Sequence, residues 1–116
     1  MSGHGRREVI LMANATRWCD AVMRDTRSEA GRVARREHRV SYVSIEQLTR
    51  VIAGYVGRGE PTVSLKDVLE RTENGDLRPL PLSERRGRRL LKFLVARGHV
   101  TATGDLIQPV GLGELL

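Results

Sequence analysis

Residues 82–98 constrain this chain more than any other stretch. The segment reads Leu82-Ser83-Glu84-Arg85-Arg86-Gly87-Arg88-Arg89-Leu90-Leu91-Lys92-Phe93-Leu94-Val95-Ala96-Arg97-Gly98. At helical spacing Ser83, Gly87, Leu90, Leu91 and Leu94 share one face. Arg85, Arg88, Arg89 and Lys92 fall on the opposite side. The pattern predicts a helix over 83–97, ended by Gly98, that sits on a core and turns cations outward. A solvated amphipathic surface helix has the same pattern, so position in the chain has to decide between the two.

The flanking sequence supplies that position. Val43-Ser44-Ile45-Glu46-Gln47-Leu48 predicts a helix start with Ser44 as cap, Gln47 at the third helical position and a Val43–Leu48 staple. Ile45, Leu48, Val51, Ile52 and Tyr55 form its apolar face. Val63-Ser64-Leu65-Lys66-Asp67-Val68 repeats the arrangement, with Asp67 near the positive end of a short helix that stops near Arg71. Glu73-Asn74-Gly75-Asp76, Pro79 and Pro81 mark a loop. After Gly98, Val100–Thr103 and Leu106–Gln108 flank Gly104-Asp105, which predicts a hairpin. Leu112, Leu115 and Leu116 complete an apolar tail.

Met1–Gly5 is expected to be a disordered tip. From Arg6 the residues Leu11, Ala15, Trp18 and Val22 make an apolar stripe at helical spacing. Thr26-Arg27-Ser28-Glu29 has the form of a capping box, so a second helix to His38 is one reading and a single long helix the other. The side of residues 27–39 away from Ala30, Val33 and Ala34 carries Arg27, Arg32, Arg35, Arg36 and Arg39.

The charge is uneven. Lys and Arg number 20 against 14 acids, and the excess lies in residues 1–40 and 81–116. Eighteen of those cations are arginine, whose planar fork suits phosphate. The one cysteine, Cys19, excludes an internal disulfide and a cysteine zinc site. His4, His38 and His99 have no companion cysteines. No apolar run approaches membrane-spanning length. Trp18, Tyr42, Tyr55 and Phe93 are too few for a base-stacking platform. There is no phosphate loop, nucleophile elbow or His-Glu zinc helix. The chain therefore reads as a non-enzyme with no cofactor and no small-molecule substrate.

The order helix, short helix, basic helix, hairpin resembles the winged helix-turn-helix superfamily over residues 44–110. Its most telling piece is Leu90-Leu91-x-x-Leu94-x-x-x-Gly98-x-Val100 with a hairpin behind it. The resemblance implies a mostly α fold of three helices and a C-terminal hairpin over 41–116, with residues 6–40 as a helical extension. It also implies that helix 83–97 lies in a DNA major groove, with Arg85, Arg88, Arg89 and Lys92 as contacts. Two features depart from the family pattern. The loop Thr72–Leu82 is long, and the wing tip Gly104-Asp105 carries no cation. Contacts are therefore expected on the helix and on Arg32, Arg35 and Arg36 instead.

The expected function is double-stranded DNA binding by a homodimeric transcription regulator in the cytoplasm or nucleoid, or inside a virion. Because the winged-helix unit has its own core residues, the stripe Leu11, Ala15, Trp18 and Val22 is expected at the dimer seam. One alternative is a nucleoprotein that packages DNA without sequence preference. Another is a winged helix that binds protein within a larger assembly.

Overall fold

The computed structural model describes residues 5–60, 62–70 and 82–112. The expected tip (apart from Gly5), nearly all of the loop Thr72–Leu82, and Leu115 and Leu116 lie outside the described residues. Among those described, five helices and three short strands follow in the order α1 Gly5–Arg27, α2 Glu29–His38, α3 Tyr42–Gly57, β1 Val63–Ser64, α4 Leu65–Glu70, α5 Glu84–Ala96, β2 Val100–Thr103 and β3 Leu106–Pro109. The fold is mostly helical, with one small antiparallel sheet of strand order β1-β3-β2.

The N-terminal region is two helices, broken at Ser28. The expected cap at Thr26 is wrong by two residues. Ser28 has extended backbone angles, and its hydroxyl accepts from the Gly31 N–H and donates to the Asp25 carbonyl. Thr26 belongs to the last turn of α1, is fully buried and donates its hydroxyl to the Val22 carbonyl. The sharp corner requires Gly31, where a Cβ would collide with the Asp25 carbonyl oxygen. Helix α2 ends at Arg39 in the left-handed region, φ 57°.

Helix α3 also starts earlier than the sequence pattern implied. Ser41, not Ser44, is its cap, accepting from the Ser44 N–H at 3.1 Å. Val43 is 60 % exposed, so it forms no staple with Leu48. Both Ser41 and Ser44 satisfy a serine-cap pattern; the αL turn at Arg39 selects the first. Ser83 caps α5 as expected, accepting from the Arg86 N–H.

The sheet fixes the C-terminal half. Ile107 on β3 pairs with Val63 on one side and Ala102 on the other, and it is fully buried. Strand β1 was not foreseen, because two residues carry no alternation pattern of their own. The Asp105 carbonyl accepts from the Leu65 N–H at 2.8 Å, tying the hairpin turn to the start of α4. Helix α4 crosses α5 at Gly87, where a Cβ would lie 2.9 Å from Leu69 Cδ1.

One core joins these elements. Ile45, Leu48, Ile52, Leu65, Leu90, Phe93 and Leu94 are buried together with Trp18 and Val22 of α1. The stripe expected at a dimer seam is thus covered within the single chain. Ala15, Trp18 and Val22 are buried and Leu11 is half-buried as α1 packs along α3. The Trp18 indole N–H donates to the His99 carbonyl at 3.0 Å, which pins α1 to the entrance of β2. Residues 6–40 share their core with the remainder of the chain, so the stripe needs no second copy to leave water. Cys19 is buried beside this stripe, and burial pushes its thiol pKa up. Among the described residues, no helix is long and apolar enough to cross a membrane.

Candidate nucleic-acid interface

The two arginine-rich segments, distant in sequence, are neighbours in the fold. Helix α2 packs against α5. The His38 and Phe93 rings meet in a T-shaped arrangement with centroids 5.9 Å apart. One turn towards the start of α5, the Arg89 guanidinium donates to the Arg39 carbonyl at 3.2 Å. That carbonyl lies just past the end of α2, so a hydrogen bond to a cation compensates it well.

Helix α5 buries Gly87, Leu90, Leu91, Phe93 and Leu94 and exposes Arg85, Arg86, Arg88 and Lys92, with Arg89 half-buried. The expected basic stripe is therefore on the outer side, but its members differ in their surroundings. Arg88 is engaged by two carboxylates, Glu84 at 3.0 Å and Asp105 at 2.8 Å. Glu84 first, then Asp105, raise its pKa. Its charge is locally offset, and Asp105 in the β2–β3 turn is one of the two partners. Among the described residues, Arg85, Arg86 and Lys92 make no ion pair.

On α2, Arg32 and Arg36 are exposed, as is Arg39 beyond its end. Arg35 departs from expectation. It is half-buried, its guanidinium lies 5.6 Å from the Tyr42 ring centroid, and its Nε is buried without a hydrogen-bond partner. Arg27 donates to the same Tyr42 hydroxyl at 2.9 Å. Arg35 thus braces α2 against α3 through a cation–π contact.

Behind the basic face, a polar cluster holds the helices in register. Asp25 near the end of α1 takes a bidentate pair from Arg97, at 2.7 and 3.0 Å, and a third contact from His99 Nε2 at 2.7 Å. The Arg97 hydrogen bonds hold the Asp25 carboxyl below the usual carboxylate range, helped by His99 and opposed by burial. This cluster links α1 to the end of α5 and the start of β2.

A small hollow of about 20 Å³ lies where the α2–α3 corner meets α5, lined in part by Arg39, Ser41, Ser44, Arg86 and Arg89. Arg86 was not singled out from sequence. It sits one residue from Arg85 but on the other flank, in an i, i+3 relation to Arg89, and that spacing was the signal available. No family model matches the chain, and no curated protein or solved structure does either.

Proposed function

We propose that this chain is a DNA-binding protein of winged-helix type that lays α5 against duplex DNA and acts as a transcription regulator. The supporting order is α3, β1, α4, α5, β2, β3, with β1 pairing on β3 beside the hairpin. The observation that carries the function is the contact between two basic segments distant in sequence, joined at Arg89 and the Arg39 carbonyl. Arg85, Arg86, Arg89 and Lys92 from α5, with Arg32 and Arg36 from α2, give a cationic surface of the kind that displaces counterions from a phosphate backbone.

Sequence-independent packaging is the second reading, favoured by one observation. The Asp105–Arg88 pair ties down a guanidinium in the middle of α5, where a base-reading side chain would be wanted. Selection from a random duplex pool separates the two. Enrichment of a common site supports the regulator. Uniform recovery supports packaging. Failure to retain any duplex at low salt overturns both.

A further inference from the structure

The hollow between the α2–α3 corner and α5 has a chemistry of its own. Three arginines and two serines contribute to its wall, and the other lining residues are Val40, Leu82 and Leu90, so among the described residues no carboxylate faces it. Its volume, about 20 Å³, is room for one or two oxygen atoms. We propose that it seats one phosphodiester group of the nucleic-acid backbone, gripped by Arg86 and Arg89 and fixing the register of α5 along the duplex. The inference rests on the DNA-binding function proposed above.

Arg89 is oriented before any ligand arrives. One N–H is committed to the Arg39 carbonyl, and the half-buried side chain keeps further donors of its five for an anion. Holding a guanidinium in place beforehand lowers the ordering cost of the contact. Arg86, one helical turn away on the same flank, is exposed and makes no ion pair among the described residues. Both residues line one opening, and the several oxygens of a phosphate suit two guanidinium groups together.

The serines add a donor. The Ser41 hydroxyl accepts the Ser44 N–H and donates to Ser44 Oγ at 3.0 Å. With its oxygen receiving that bond, the Ser44 hydroxyl keeps its own proton to donate outward. A neutral serine donor beside two arginines suits a singly charged phosphodiester, which presents two free oxygens.

The test is fluorescence anisotropy of a labelled duplex across a salt series, with wild type, Arg86→Ala and Ser44→Ala. Arg86 is exposed, so its truncation leaves the fold intact, and circular dichroism confirms this for each variant. Arg86→Ala should weaken binding roughly tenfold at moderate salt and reduce the slope of log affinity against log salt by about 0.9, the loss of one phosphate contact. Ser44→Ala should weaken binding by less and leave the slope unchanged. A wild type that binds duplex while Arg86→Ala keeps both its affinity and its slope overturns the phosphate seat and leaves the DNA-binding function standing. A wild type that binds no duplex removes both. A parallel arm adds inorganic phosphate alone. If phosphate raises the melting temperature of the wild type but not of Arg86→Ala, while duplex binding is the same for both, the hollow belongs to a free anion and the proposal fails.

Discussion

The Arg89 guanidinium on α5 donates to the Arg39 carbonyl just past α2, across 50 residues of sequence and 3.2 Å of space. This contact brings two basic segments together. Truncating α2 should therefore affect DNA binding as truncating α5 does. Arg32→Ala with Arg36→Ala should weaken duplex binding to a similar degree as Arg85→Ala with Lys92→Ala, each by roughly 30- to 100-fold for two lost phosphate contacts. All four side chains are exposed, so melting temperatures should barely move. Gel-shift titrations of the two double variants check this; an α2 double variant that binds like wild type confines the interface to α5.

Asp105 restrains Arg88 from the turn between β2 and β3 at 2.8 Å. Asp105→Ala should free that guanidinium and remove a negative charge from beside the proposed DNA interface. Affinity for duplex should rise, by about three- to tenfold. Stability should barely change, because the pair is exposed and the Leu65 N–H bonds to the Asp105 backbone rather than its side chain. Anisotropy beside thermal melting measures both. A loss of affinity would mean that Arg88 works while held by Asp105.

Trp18 is buried against its own chain and bonded to the His99 carbonyl. Trp18→Ala should cost about 3–5 kcal/mol. Trp18→Phe should cost about 1 kcal/mol, chiefly the indole hydrogen bond. Because the stripe is covered within one chain, the wild-type melting temperature should not depend on protein concentration. A melting temperature that climbs with concentration, alongside a dimer in sedimentation, would place stabilising contacts between copies.

Asp25 gives stability a defined pH dependence. Its folded pKa is lowered, chiefly by Arg97. The contribution is therefore fully present above the ordinary carboxylate value of about 3.9 and is lost as pH falls through the lower folded value. Asp25→Asn should cost about 1.5–3 kcal/mol at neutral pH, since it weakens hydrogen bonds between charged groups. The difference between wild type and variant should shrink below about pH 4. Urea unfolding at several pH values measures it; a gap that stays constant into strong acid would contradict this role for the carboxylate.

The helices and the hairpin were legible in the sequence because their signals are local. The apolar face of α5, Ser83 as its cap and Gly98 beyond its end sit where periodicity and cap chemistry put them. The start of α3 was misread because Ser41 and Ser44 offer equivalent caps, and only the αL turn at Arg39 chooses. The destination of the Trp18 stripe was misread for another reason. Periodicity reports that a face is apolar, but not which surface covers it, and here α3 and the His99 carbonyl do so. The candidate interface was half visible. Arg85 and Lys92 face outward as their spacing dictates, whereas the withdrawal of Arg35 to Tyr42 and of Arg88 to Asp105 depends on partners across the fold.

The central claim is that the joined α2–α5 surface binds duplex DNA through its phosphates. Its most direct test is the affinity of the wild-type protein for a random-sequence duplex between 50 and 200 mM salt, roughly the span over which phosphate contacts dominate. With about five phosphate contacts, log affinity should fall against log salt with a slope of about −4 to −5. Binding that is flat across this range, or absent at its lower end, would contradict the account.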